Sequence, residues 1–151
     1  TIEKAKEIFN NSGSSIVNIK KEIDGFILNR LQGALLNEAM RLYSQGYANS
    51  DEIDATIRDG LGLRWAFMGP FETIDLNAPG GIKDYMSRYG SIYTEMAKNQ
   101  TQVPDWSDKM GEKLEIERRK VLPKNQLEER AKKRNLLLKL LRKVKIENGE
   151  V

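Results

Sequence analysis

The sequence predicts an all-α, multi-helix domain preceded by a single helix–strand pair. Three observations predict it. Between Asp24 and Gly46, Leu28, Leu31, Leu35, Ala39 and Leu42 recur at three and four residues, one continuous helical stripe. Stripes of the same period run through 50–61, 82–96, 110–121 and 127–144. Only one stretch, Ser15–Lys20 (SIVNIK), has the branched composition of a strand.

Composition narrows the chemistry. The 151 residues suffice for one ordinary domain. The absence of cysteine removes disulfides and thiolate metal sites, and fits a reducing, cytoplasmic compartment. The absence of histidine removes a Ser–His–Asp triad, a histidine general base and the usual zinc site. A complete active site made only of these residues is not expected, and neither is a metal site. The net charge of +3 belongs to the tail: residues 124–151 hold nine Lys or Arg and four Glu. Taking these from totals of 25 and 22 leaves 16 basic and 18 acidic residues before them. No apolar run has membrane-spanning length, and no signal peptide is visible.

The elements follow in order. Thr1–Asn10 reads as a short helix with Ile2, Ala5, Ile8 and Phe9 on one face, ended by Asn11-Ser12-Gly13. With the strand at 15–20 it makes half of an α/β repeat. A lone strand leaves its backbone groups unpaired. Residues 1–22 are therefore expected to be the last unit of a parallel-sheet domain lying earlier in the protein, and the first residue, Thr1, agrees. Asp24 is the candidate N-cap of the long helix and Gly46 its left-handed terminus. Ile27, Leu36, Met40 and Tyr43 widen its apolar arc, so this helix is expected to be central. Ser50 is the candidate cap of the next helix, with Ile53, Ile57 and Leu61 on its buried face. Residues 60–70 (GLGLRWAFMGP) break the periodicity, and Gly69-Pro70 restarts a helix bearing Phe71, Ile74 and Leu76. After a break at 77–81, Ile82, Tyr85, Met86, Tyr89, Ile92, Tyr93 and Met96 form an amphipathic stripe, expected to be core. A loop at 99–108 leads to a helix that stops at Pro123, and a basic helix over about 125–145 closes the chain. That helix is read as a solvated docking face. No motif or aromatic interleaving supports nucleic-acid binding.

Two residues are candidates for chemistry. Asn29 lies at the edge of the apolar arc in line with Gly33, Leu36 and Met40. It reads either as an amide bonded inside the bundle or as an amide aimed at a substrate. Arg64, beside Trp65, reads either as a surface arginine or as a guanidinium that grips a carboxylate through two parallel hydrogen bonds.

The set Gly25-Phe26-Ile27-Leu28-Asn29-Arg30, Ala39, Ile53-Asp54-Ala55, Met68-Gly69-Pro70-Phe71-Glu72 and Asp75 resembles the helical C-terminal domain of the L-3-hydroxyacyl-CoA dehydrogenase family. The resemblance implies a fold of the 6-phosphogluconate dehydrogenase C-terminal-like type. It also implies three parts: a Rossmann remnant (1–22), the helical domain (23–98) and a helical extension with the basic helix (99–151). The family oxidises a 3-hydroxyl by hydride transfer to NAD, with a His–Glu pair in the nucleotide-binding domain. By that resemblance NAD is bound by the missing N-terminal domain, and this chain alone is inactive. Asn29 matches the asparagine near the reacting oxygen, and the helical domain forms a homodimer. Acyl-CoA members tend to carry a short Gly-x-Pro-Met-Gly-Pro-Phe loop. Here Leu63-Arg64-Trp65-Ala66-Phe67 precedes Met68-Gly69-Pro70, so Arg64 is expected to bind the carboxylate of a small free hydroxy acid, L-gulonate, rather than a thioester. The alternatives are a short 3-hydroxyacyl-CoA substrate, or a non-catalytic helical interaction module.

Overall fold

The computed structural model describes residues 16–150. The expected helix at 1–10 and Ser15 lie outside the described residues. Within them the fold is all-α, with no strand; residues 16–20 form no ladder. A strand exists only through a neighbour's hydrogen bonds, and no such neighbour lies among the described residues. No helix is long and apolar enough to cross a membrane.

The helices are α1 (Phe26–Ser44), α2 (Ser50–Ala55), a π turn (Thr56–Leu61), α3 (Gly62–Trp65), α4 (Pro70–Leu76), α5 (Gly81–Asn99), α6 (Asp108–Val121), a 3₁₀ turn (Lys124–Gln126) and α7 (Leu127–Glu147). They fall into two compact units. One holds the residues up to Leu31 together with those from Glu128 onward; the other is Gln32–Leu127.

In the first unit α1 starts one residue later than expected. No side-chain cap from Asp24 makes the start: Phe26 N–H closes a backbone turn onto Ile23 C=O at 3.1 Å. Gly25 and Phe26 both have positive φ, +80° and +49°. For Phe26 this is strained backbone, at a cost of order 1–3 kcal/mol. In α7, Glu128 and Glu129 occupy the first turn, where the helix dipole favours acids. Leu136, Leu137, Leu138 and Leu140 are all exposed, so leucines ring α7 rather than sharing one face.

In the second unit, Gly46 does end α1. Its φ is +77°, Gly46 N–H donates to Tyr43 C=O at 3.1 Å and Tyr47 N–H to Leu42 C=O at 3.0 Å, the paired bonds of a glycine C-cap. Asn49, not Ser50, caps α2. Its Oδ1 accepts from the N–H groups of Asp51 and Glu52, both at 3.0 Å, while Glu52 Oε2 accepts from Asn49 N–H at 2.8 Å. This is a reciprocal capping box, in which the residue three places before an acidic or amide side chain takes the cap. Ser50 is instead the first helical residue.

Residues 60–65 are helical, where the sequence suggested a loop. Gly62 N–H donates to Ile57 C=O, five residues back, so the turn 56–61 is π and carries one residue more than an α turn. A Cβ at 62 would stand 2.9 Å from that same oxygen, so glycine is what lets the wide turn close. The extra residue shifts the apolar period, which is why periodicity alone read a break. Thereafter Pro70 takes the first position of α4 as expected, and Asp75 on α4 accepts from Ile82 N–H at 2.6 Å, tying α4 to the start of α5.

The core is thin. The buried apolar residues among those described are Met40, Tyr43 and Ala78. The stripe on α5 is correspondingly not the plain core expected: Met86 is 63% and Tyr93 52% exposed. On α4, Phe71 is 75% exposed, and Ile53, Ile57 and Leu61 are only half-buried.

Polar groups complete the packing of the second unit. Glu117 on α6 accepts from Tyr43 Oη of α1 at 2.8 Å and from Ser50 N–H of α2 at 2.6 Å. Arg118 beside it pairs with Asp51 and, at 3.5 Å, with Asp54. Lys113 lies over the Tyr43 ring, 4.8 Å from its centre. Trp106 Nε1 donates to Asn37 Oδ1 at 3.1 Å and so anchors the 100–107 loop on α1.

Candidate functional site

The second unit contains an apolar cavity of about 530 Å³ where α3, α4 and α5 meet. Leu61, Trp65, Phe71 and Ile74 form one side; Tyr85, Met86 and Tyr93 form the other. Such a hollow, mostly apolar with a few polar groups, is the usual setting for a small ligand. A second hollow, of about 640 Å³, lies in the first unit, where Lys21–Asp24 line it among the described residues.

Arg64 lines the apolar cavity. It reaches that wall because the π turn rotates α3, and its backbone carbonyl accepts from Phe67 and Met68 N–H at 3.0 and 3.1 Å, fixing the turn that follows. Among the described residues its guanidinium has no carboxylate partner. It is thus an uncommitted cation facing apolar and aromatic side chains, able to take an anion in a two-point grip. Thr73 also lines the cavity, but its hydroxyl is committed to Gly69 C=O at 2.8 Å.

Sequence reasoning missed the tyrosine hydroxyls. Tyr85 Oη and Tyr93 Oη are 2.6 Å apart, and either can be the donor. Their rings stack at 6.3 Å and 26°, and Tyr89 leans on Tyr85 at 4.8 Å. The hydrogen bond shared with Tyr93 pushes the Tyr85 phenol up from its ordinary value, with burial adding to it and Arg64 pulling the other way. Tyrosines eight residues apart on one helix were the available signal; the stripe was read as packing because apolar area dominates a tyrosine.

Asn29 is exposed, on the first turn of α1 in the first unit. It is not a bonded core amide. It follows by three residues the strained Phe26, and strain of this kind tends to be retained where a site needs it.

A nicotinamide dinucleotide needs a strand, a glycine-rich turn and a helix N-terminus for its pyrophosphate. The described residues contain no strand and offer it no such cradle.

Comparison with known proteins places the chain. The family model for the 3-hydroxyacyl-CoA dehydrogenase C-terminal domain matches residues 25–139. Lambda-crystallin of Oryctolagus cuniculus is 37% identical over 147 residues, covering 96% of this chain and 46% of that protein. A lambda-crystallin homolog of Bos taurus is 41% identical over 114 residues, 76% of this chain and 35% of its own length. L-carnitine dehydrogenase of Pseudomonas putida is 44% identical over 90 residues, 59% of this chain and 28% of that enzyme. The chain spans less than half the length of these relatives. With the matched residues running from the strained turn at Gly25 through α1 to α6 and into α7, this chain belongs to the 3-hydroxyacyl-CoA dehydrogenase family, as its C-terminal helical domain.

Proposed function

We propose that this chain is the substrate-binding and dimerisation domain of an NAD-dependent dehydrogenase acting on a free 3-hydroxy acid, with L-gulonate as the substrate, in a cytoplasmic setting. The observation that carries the reading is Arg64, on an apolar cavity and without a carboxylate partner among the described residues. A thioester carries no charge for it to meet; a hydroxy acid does. Asn29, exposed beside a strained turn, is assigned to the reacting hydroxyl, where an amide orients the oxygen and stabilises charge as the ketone forms. NAD supplies the hydride acceptor and is held outside the described residues, which have no dinucleotide cradle.

Arg64→Met in the intact dehydrogenase that carries this domain tests the reading. The expected result is a rise in KM for L-gulonate of about tenfold or more with kcat little changed, as for a lost bond to a charged group that holds ground and transition states alike. An unchanged KM refutes the clamp. The chain by itself is expected to form no NADH from NAD and L-gulonate.

A second reading of the substrate has its own observation. Trp65, Phe71, Tyr85 and Tyr93 give the cavity an aromatic wall, which suits a methylated ammonium group. One relative is an L-carnitine dehydrogenase. Comparing kcat/KM for L-gulonate and L-carnitine decides between the two.

The homodimer is assigned to α5. Ile82, Tyr89, Ile92 and Met96 are all more than one-third exposed, an apolar row that a second copy would cover. Met96→Glu is expected to convert a dimer to a monomer in sedimentation; a wild type that sediments as a monomer refutes it.

A further inference from the structure

Tyr85, Tyr93 and Arg64 share one cavity, whose wall also carries Thr73, the Asn77 amide and the Trp65 indole. Thr73 Oγ1 is spent on Gly69 C=O. The tyrosine pair is different. At 2.6 Å one phenol donates to the other, which consumes one O–H and leaves the second unspent. Arg64 supplies the charge and lines the same cavity as Tyr85, and a phenol, with an ordinary pKa of about 10, keeps its proton at neutral pH. A guanidinium and a protonated phenol on one apolar wall are complementary to an anion with two acceptor oxygens. A carboxylate whose oxygens both find donors is the ligand that leaves neither group wasted.

We propose that the Tyr85–Tyr93 hydroxyl pair is the second half of the carboxylate site, donating one O–H to a lone pair that the two-point grip of Arg64 leaves free on one carboxylate oxygen. This rests on the reading of Arg64 as the carboxylate grip, and it adds specificity-determining residues to it. The chain of two hydroxyls also explains why two tyrosines are needed. The first phenol polarises and orients the second, and a hydrogen bond that is itself supported is stronger. Removing either hydroxyl therefore weakens the donor, and removing both abolishes it.

The test uses the full chain, uniformly labelled, titrated by NMR with two acids, L-gulonate and 3-hydroxybutyrate, and with the neutral lactone of gulonate. Four proteins are compared: wild type, Tyr93→Phe, Tyr85→Phe/Tyr93→Phe and Arg64→Met. The phenylalanine variants keep both rings, and circular dichroism checks their folding. The double variant is expected to bind both acids about tenfold more weakly, the size of a lost bond to a charged group, while its weak binding of the lactone is unchanged. Tyr93→Phe falls between. A double variant that binds both acids within twofold of wild type overturns the proposal, and if Arg64→Met still weakens them the clamp survives without it. If Arg64→Met also has no effect, the clamp itself fails. Weakening for gulonate but not 3-hydroxybutyrate overturns the proposal too, because the phenols would then be binding sugar hydroxyls. A readout independent of mutation is tyrosine ionisation in wild type, followed by ultraviolet absorbance. Both acids are expected to raise the phenol midpoint and the lactone to leave it, since an anion beside a phenol opposes its ionisation. A midpoint that no acid moves counts against the proposal.

Discussion

Replacing Tyr43 by phenylalanine isolates the bond that joins α1 to α6. The ring is 5% exposed and stays in place, with Lys113 over its face. Only the hydroxyl goes, and with it the 2.8 Å bond to Glu117 Oε2. A hydrogen bond to a charged acceptor contributes about 1.5–3 kcal/mol. Glu117 keeps its bond from Ser50 N–H and is half-exposed, so water replaces part of what is lost. The expected cost is therefore at the low end, about 1–1.5 kcal/mol, or a fall in Tm of roughly 4–10 °C for a unit of this size. Urea unfolding followed at 222 nm measures it, with an unchanged m-value as the control. The pH dependence has a definite sign. Ser50, then Tyr43, hold the Glu117 carboxyl below its ordinary value of 4.5. A depressed carboxylate contributes stability that is present above the unfolded value and fades as pH falls through the folded one. The gap between wild type and variant should thus be full at pH 7 and narrow below about pH 4. A Tm within 1 °C of wild type at pH 7, or a gap that is the same at pH 3, refutes the role given to this bond.

Other outcomes follow from the same geometry. Asn49→Ala is expected to cost about 1 kcal/mol of stability because it removes the cap of α2; a thermal melt unchanged from wild type contradicts the capping box. Gly62→Ala places a Cβ 2.9 Å from Ile57 C=O and should both destabilise the π turn and weaken acid binding at Arg64, two effects that one melt and one titration report together. Arg64→Met should leave the melt near wild type while raising KM, because among the described residues the guanidinium has no carboxylate partner to lose.

How much of this was legible in the sequence depended on which rule governed each residue. Helix periodicity gave α1, α5, α6 and α7, Gly46 marked the end of α1 and Pro70 the start of α4, because those signals are local. The cap of α2 was misplaced by one residue: Asn49 and Ser50 are both good caps, and only the reach of Glu52 back to Asn49 N–H decides between them. The π turn was invisible to a rule with a fixed period of 3.6. Arg64 was proposed from its chemistry and Asn29 from the resemblance. The pairing of Tyr85 with Tyr93 was not found, since a stripe of aromatic residues looks the same whether covered by its own chain or left open. What covers a helix face is a tertiary fact, and here most of α5 remains uncovered.

The central claim is that this helical domain lends a guanidinium to a substrate carboxylate. The side-chain Nε–H resonance of Arg64 in the labelled chain measures that most directly. It is expected to shift on titration with L-gulonate and to stay still with the neutral lactone; a resonance that responds equally to both, or to neither, would contradict the account.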